Sequence, residues 1–249
     1  MCHSCKFVDS LFLDVMVYGG AKRYAADFLS LFYPRLCNGC KRALIQEEEC
    51  LCSFCRYELP FTKLHNDREN TMSQVFWGRV DIETATALFY FQKGGKVQNL
   101  IHQFKYKGKT DIGIYLGKLL GRQLKNHPVW EPVDVIVPVP LHEKKQYKRG
   151  FNQSEVFGRG IREVFGRPMI TNNLVRISRT DTQTRKARFK RWENVETVFS
   201  IKTPETFRGK NVLLIDDVIT TGSTLEACTQ KLKEVKGVRV WLATIAMSV

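Results

Sequence analysis

The chain reads as an α/β protein built on a mainly parallel sheet flanked by helices, and three observations carry that reading. Val212–Ile215 is an uninterrupted apolar run, and Val133–Val137 is a second one broken only by Asp134. Such runs suit strands covered on both faces. Behind the first run, Thr224 to Val235 places Leu225, Cys228, Leu232 and Val235 on one helical face. Between them, Thr220–Thr224 supplies hydroxyls and a glycine, the composition of a tight strand-to-helix turn.

Bulk properties narrow the class without choosing a function. The chain has 249 residues, enough for a sizeable core, and 43% hydrophobic with 26% charged residues is ordinary for a soluble globular protein. The charge balance is not ordinary: 39 Lys+Arg against 25 Asp+Glu gives +14, a field that attracts polyanions. No run of eighteen apolar residues exists, so no membrane span is expected. The apolar patch Leu11–Tyr18 is short and broken by Asp14, and reads as no signal peptide, which makes the expected location cytoplasmic. There are 8 cysteines, all but Cys228 within the first 55 residues. In a chain without a secretion signal that clustering favours metal over disulfides.

Taken in order, residues 1–22 read as an extension, expected to be disordered, in which Cys2 and Cys5 flank His3 without a second pair. Lys22–Leu36 carries an apolar helical pattern at Tyr24, Phe28, Leu31 and Phe32. A small module over 23–75 follows, in which Cys37-Asn38-Gly39-Cys40 and Cys52-Ser53-Phe54-Cys55 stand eleven residues apart. Two such knuckles supply the four thiolates of a tetrahedral zinc site, Cys37, Cys40, Cys52 and Cys55, with Gly39 in the tight turn and Cys50 outside the set. The polar stretch Lys63–Ser73 reads as a linker to a larger domain over 76–249.

That domain opens with a strand at Ile82–Phe91, a turn at Gly94-Gly95, and a helix over Val97–Phe104. Phe104–Lys109 is basic and aromatic and reads as mobile; Ile112–Leu124 is helical. The Val133–Val137 strand ends in Pro138-Val139-Pro140-Leu141, a stiff loop at the carboxyl edge of the sheet, where open α/β sheets hold ligands. A basic run, Lys144, Lys145, Lys148 and Arg149, leads to Gly150-Phe151-Asn152-Gln153, which opens a helix to Val164 with Asn152 as its cap. Arg176–Arg191 is strongly basic and polar and reads as a flexible loop. Asn194–Phe199 is a short strand and Val238–Met247 the last one.

The stretch Val212-Leu213-Leu214-Ile215-Asp216-Asp217-Val218-Ile219-Thr220-Thr221-Gly222-Ser223-Thr224 joins two kinds of chemistry. A helix N-terminus behind a small-residue loop offers free N–H groups and the positive dipole end to a phosphate. Two carboxylates at the strand end accept hydrogen bonds from a cis-diol or bind a hard cation. All thirteen positions resemble the phosphoribosyl-pyrophosphate (PRPP) signature of type I phosphoribosyltransferases. The order of motifs adds to this: Cys37 to Cys55 ahead of Tyr57-Glu58-Leu59-Pro60, then Lys105-Tyr106, Val137–His142, Arg149–Gln153, then Gln183 with Arg191 and Asn194. Over residues 23–249 that order resembles the competence protein F (ComF/GntX) family.

The resemblance implies a type I phosphoribosyltransferase fold with a small N-terminal zinc-ribbon-like module. It implies a role in DNA uptake and natural transformation, with single-stranded DNA and a competence helicase as partners. PRPP would then be bound with Mg²⁺. Asp216 and Asp217 would face the ribose and the metal, Thr220, Thr221, Gly222, Ser223 and Thr224 the 5-phosphate. Pro138, Val139, Pro140 and Leu141 with Lys105 and Arg149 would meet the pyrophosphate, and Arg179, Gln183, Arg185 and Arg191 would form a flexible lid. The acceptor would sit under a hood from Trp77 to Gly108, whose residues name no acceptor. Cys2 invites comparison with the glutaminase nucleophile of glutamine amidotransferases, but such a domain needs about 200 residues that are not here.

Two rival readings differ in class. One is a non-catalytic adaptor for DNA or a helicase with a vestigial or sensory PRPP site. The other is a generic nucleotide-binding α/β protein, disfavoured because neither Gly-x-Gly-x-x-Gly nor a Walker A motif is present.

Overall fold

The computed structural model describes residues 33–45, 47–125, 127–177 and 198–248. The chain forms two compact units, Met1–Arg56 and Tyr57–Val249. In the first unit the chain folds back on itself through an antiparallel bridge between Leu36 and Ala43. The Cys37 N–H donates to the Arg42 carbonyl at 2.8 Å, and the Leu44 N–H to Arg35 at 2.7 Å. The left-handed residue of this turn is Lys41, at φ 66°, rather than Gly39. Gly39 is needed for space instead: a Cβ there would lie 2.8 Å from the Cys55 Sγ. A short helix, α1 (Ser53–Tyr57), carries the second knuckle. The helical pattern at Tyr24–Phe32, and Cys2 and Cys5, lie outside the described residues.

The second unit begins at Tyr57, not at residue 76 as expected, so the stretch 63–73 that the sequence suggested as a linker lies within it. The stretch 63–73 is instead built into the fold by one side chain. Asn70, 4% exposed, donates from Nδ2 to the carbonyls of Leu64, Asp67 and Ala85 and accepts the N–H groups of Met72 and Ser73 to cap α2 (Thr71–Gln74). A polar residue so fully paired can be buried without penalty. It fastens the segment to the first strand, β1 (Thr84–Phe91).

Two helices follow, α3 (Lys96–Tyr106) and α4 (Thr110–Lys125), then β2 (Val135–Pro138), α5 (Glu143–Arg149) and α6 (Gln153–Phe165). A two-stranded antiparallel ladder, β3 (Leu174–Arg176) with β4 (Phe199–Ile201), stands apart from the main sheet. Arg176, expected in a flexible loop, is therefore in a strand, with its guanidinium over the Phe199 ring at 5.5 Å. The rest of that loop, with Arg179, Gln183, Arg185 and Arg191, lies outside the described residues. The chain closes with β5 (Asn211–Ile219), α7 (Ser223–Lys233) and β6 (Arg239–Ser248).

The main sheet has the order β1-β6-β5-β2, and all its ladders are parallel. This is the sheet the sequence predicts, and helices cover both faces. On one face Val212 and Leu214 join Val240, Leu242, Leu225, Cys228 and Leu232 in one apolar cluster. On the other, α6 lies on Ile215 and Ile136, which come within 4 Å of where a Gly158 Cβ would stand. The alternation along β5 explains both contacts.

Two helices meet backbone to backbone beneath the site. A Cβ on Gly117 of α4 would lie 2.2 Å from the Phe157 carbonyl oxygen, and one on Gly160 of α6 would lie 2.1 Å from that of Ile114. Only glycine permits this approach. It seats α6, whose N-terminus then rises beside β5.

Candidate functional site

Strand lengths create the site. β5 has 9 residues and β2 only 4, so their ladder ends at Pro138↔Ile215, with a last bond from the Val139 N–H to the Ile215 carbonyl at 2.9 Å. β5 continues to Ile219 along β6. Asp216 and Asp217 are therefore inside the strand rather than at its end. They sit where the β2 side has stopped, leaving that edge open to the loop Pro138–Leu141. Prolines stop β2 there because they cannot continue the ladder.

Alternation sends the two carboxylates to different partners. Asp216 Oδ1 accepts from the Ser154 hydroxyl at 2.9 Å and from the Asp217 N–H at 2.8 Å. Asp217 Oδ2 pairs with the Lys105 ammonium at 2.7 Å. Burial first, and then the charge of Asp217, push the Asp216 carboxyl up to about 7, against the hydrogen bonds and Lys105, which favour its ionised form. A buried carboxyl raised in this way beside a second carboxylate marks a candidate functional site.

Lys105 and Tyr106 were expected in a mobile segment. They form the last turn of α3 instead. Phe104, fully buried, anchors that turn below them. Tyr106 lies under the Arg149 guanidinium, 5.2 Å from the ring centroid, and its hydroxyl accepts from Arg149 at 3.4 Å. The structure thus brings Lys105, Arg149, Asp216 and Asp217 into one network.

The N-terminus of α6 organises that network. Asn152 accepts the Ser154 N–H, as the expected cap, and donates from Nδ2 to the Val139 carbonyl at 3.0 Å. Gln153 accepts from Arg149 at 2.6 Å, and Ser154 holds Asp216. Three consecutive side chains tie down the proline loop, a cation and a carboxylate. Sequence reading found Asn152 through its cap position and missed the tethering roles of Gln153 and Ser154, which no local pattern signals.

The phosphate loop has its own support. Gly222 caps α7 with φ 78°, and a Cβ there would stand 3.1 Å from the Phe76 ring. Thr220, Thr221, Ser223 and Thr224 are exposed, with Thr221 and Ser223 hydroxyls 3.1 Å apart. Arg79 donates to the Thr221 carbonyl at 2.8 Å and pairs with Glu226 on α7. Arg79 fixes the loop from 142 positions away, a separation that no local pattern signals. A cavity of about 600 Å³ lined by Arg68, Trp77, Arg79 and Glu83 lies on the neighbouring segment and includes neither carboxylate.

In the first unit, the thiols of Cys37, Cys40, Cys52 and Cys55 all lie within 4.8 Å of one another, a set able to hold a metal ion. Backbone N–H groups of Gly39 and Cys52 point at Cys37 Sγ at 3.3 and 3.2 Å, and that of Cys55 at Cys52 Sγ at 3.4 Å. The backbone N–H of Arg42 draws the Cys40 thiol down to about 6, toward the thiolate a metal binds. Cys50 stays outside, its sulfur 3.4 Å from Asn38 Nδ2.

A phosphoribosyl transferase domain family matches residues 164–247, the part that holds β5, the carboxylate pair and the phosphate loop. That part of the chain is therefore similar to a phosphoribosyl transferase domain. Competence protein F of Haemophilus influenzae is 28% identical over 83% of this chain and 88% of its own. The DNA utilization protein YhgH of Escherichia coli is 27% identical over 86% and 91%. Competence protein ComFC of Bacillus subtilis is 29% identical over 55% and 54%. Among solved structures, a glutamine PRPP amidotransferase from B. subtilis matches 57% of this chain and 30% of its own at 21% identity, with a TM-score of 0.39. The chain is thus similar to proteins named competence protein F, ComFC and YhgH, and residues 164–247 to a phosphoribosyl transferase domain.

Proposed function

We propose that the chain binds PRPP and acts as a phosphoribosyltransferase-like protein in DNA uptake. The observation that carries this reading is the Asp216–Asp217 pair at the open edge of β5, followed within a few residues by the Gly222-capped start of α7. The α7 N-terminus suits the 5-phosphate, held by its backbone N–H groups and the hydroxyls of Thr221, Ser223 and Thr224. The carboxylates suit the ribose hydroxyls. The loop Pro138–Leu141 faces the pyrophosphate end, where Lys105 and Arg149 supply cationic charge. Asp216 and Asp217 would also hold the Mg²⁺ that accompanies PRPP, and the ion would offset pyrophosphate charge.

For a transfer reaction, the bond between the anomeric carbon and the pyrophosphate oxygen breaks and an acceptor atom bonds to that carbon. Negative charge grows on the leaving pyrophosphate, so a cation beside it lowers the barrier most. Lys105 now neutralises Asp217, and a diol on Asp217 would release that ammonium toward the pyrophosphate. The four-thiol set of the first unit would hold zinc in a structural, closed site. Thiols this close match a tetrahedral site with Zn–S distances of about 2.3 Å.

Titration calorimetry with Mg²⁺ and PRPP tests the reading. Wild-type chain binds, and Asp216→Asn with Asp217→Asn does not. Unchanged affinity in that variant overturns the site. Pyrophosphate release in the presence of candidate amines and nucleobases then separates a transferase from a non-catalytic sensor.

A further inference from the structure

The Lys105–Asp217 ion pair is sheltered. Both side chains are 17% exposed, whereas the Arg68–Glu83 and Lys233–Asp81 pairs leave one partner 61% and 82% exposed, respectively. An exposed pair counts for little, but breaking a sheltered one strands a charge away from water. The backbone that carries Lys105 is also fixed. Phe104 is fully buried, packs on Phe151 with ring centroids 5.6 Å apart, and lies so close to α4 that a Gly113 Cβ would stand 2.4 Å from its ring. What remains free to pivot is the Lys105 side chain itself.

Each member of the pair is suited to a different half of a ligand. Asp217 can accept from a diol or bind a hard cation. Lys105 can meet a pyrophosphate. In the free chain the two neutralise each other instead. A free metal ion approaching Asp217 meets an ammonium already 2.7 Å from that carboxylate, and the like charge opposes it. A pyrophosphate alone draws Lys105 away and leaves Asp217 without a cation. A diol alone occupies Asp217 and leaves Lys105 without an anion. Either half of a ligand therefore leaves one sheltered charge uncompensated.

We propose that the Lys105–Asp217 pair is a coincidence lock: it opens to a ligand that carries a vicinal diol and a pyrophosphate on one frame, and it keeps out a free divalent cation or a free pyrophosphate. The inference rests on the PRPP reading for the identity of that ligand, and goes beyond it in what the site refuses. One consequence is an order of events. The metal enters with PRPP rather than ahead of it, because only the diol and pyrophosphate together move Lys105 off Asp217. A second concerns release. Once the diol leaves Asp217, that carboxylate draws Lys105 back and the pyrophosphate loses its cation.

The test measures binding of three probes to the full chain: Mn²⁺ alone, pyrophosphate alone, and PRPP with Mg²⁺. Mn²⁺ is followed by the paramagnetic-resonance signal of the free ion, the other two by calorimetry. Mn²⁺ prefers oxygen to thiolate ligands, so the four-thiol set does not compete for it. Lys105→Met is expected to bind Mn²⁺ about tenfold more tightly than wild type, because the ammonium no longer opposes it. Asp217→Asn is expected to bind pyrophosphate about tenfold more tightly, because Lys105 is no longer held. Both variants bind PRPP with Mg²⁺ more weakly, so each substitution strengthens one part of the ligand while weakening the whole. A merely structural role for the pair lowers every affinity and gives no such inversion. Wild-type Mn²⁺ affinity in Lys105→Met, or wild-type pyrophosphate affinity in Asp217→Asn, overturns the proposal. Where Lys105→Met does not fold by circular dichroism, Lys105→Gln carries the same comparison. Should both gains appear while wild type does not bind PRPP, the PRPP reading fails and the lock stands. PRPP binding without the gains keeps the reading and removes the lock.

Discussion

The Ser154 hydroxyl donates to Asp216 Oδ1 across 2.9 Å, joining the second residue of α6 to β5 over 62 positions of sequence. A hydrogen bond to an ionisable carboxyl holds its orientation as well as its charge. Ser154→Ala is expected to weaken PRPP binding by about 1 to 2 kcal/mol, about a five- to thirtyfold rise in Kd, with the fold intact by circular dichroism. Calorimetry reads this directly, and an unchanged Kd would show that Asp216 needs no such support.

The protonation of Asp216 gives stability a pH dependence. Its folded value is raised to about 7 from 3.8. Between those values the folded chain keeps a proton that the unfolded chain has released, so this group's contribution to stability falls as pH rises through the window. It is complete below about 4 and gone above about 7. Asp216→Asn removes the dependence. The melting temperature of that variant relative to wild type is expected to be higher at pH 8 than at pH 5. A difference constant with pH would show that Asp216 is not held protonated.

Gly222 occupies a left-handed conformation with the Phe76 ring against it. Gly222→Ala is expected to cost about 1 to 2 kcal/mol from backbone strain alone, seen as a lower denaturant midpoint. It also moves the first N–H groups of α7, so PRPP affinity falls more than the stability loss explains. A variant as stable as wild type would mean the loop relaxes freely.

The thiol cluster predicts bound metal. Purified chain is expected to carry one zinc per molecule by elemental analysis, and Cys37→Ser or Cys52→Ser to lose it. Chelation is expected to unfold Met1–Arg56 while PRPP binding by Tyr57–Val249 persists, since structural zinc supplies folding energy locally. Retention of stoichiometric zinc by both serine variants would refute the site.

Legibility in the sequence followed distance along the chain. Val212–Ile215 announces a doubly covered strand because burial on both faces leaves no polar alternation. The carboxylates, Gly222 and the cap Asn152 are legible because each acts on neighbours a few residues away. The two knuckles are legible from their spacing. Ser154, Gln153 and Arg79 act across tens of residues, and their residue types carry no trace of the partner. Asn70 misled because a polar residue suggests solvent, while here five hydrogen bonds let it be buried. The tail of α3 misled because its apolar pattern stops at Phe104. Lys105 and Tyr106 continue the helix by pairing with Asp217 and Arg149.

The contact of Gly117 with Gly160 has a consequence for how the chain can vary. Neither glycine is one of the candidate site residues, yet a single methyl group at either position would lift α6 off α4. Because Asn152, Gln153 and Ser154 ride on that helix, the loop, the cation and the carboxylate would all shift together. Random mutagenesis selected for ligand binding should therefore find these two glycines as intolerant as the aspartates. Second-site suppressors would be expected not around the ligand but among the side chains between α6 and the sheet, such as Ile136, Met169 and Ile215.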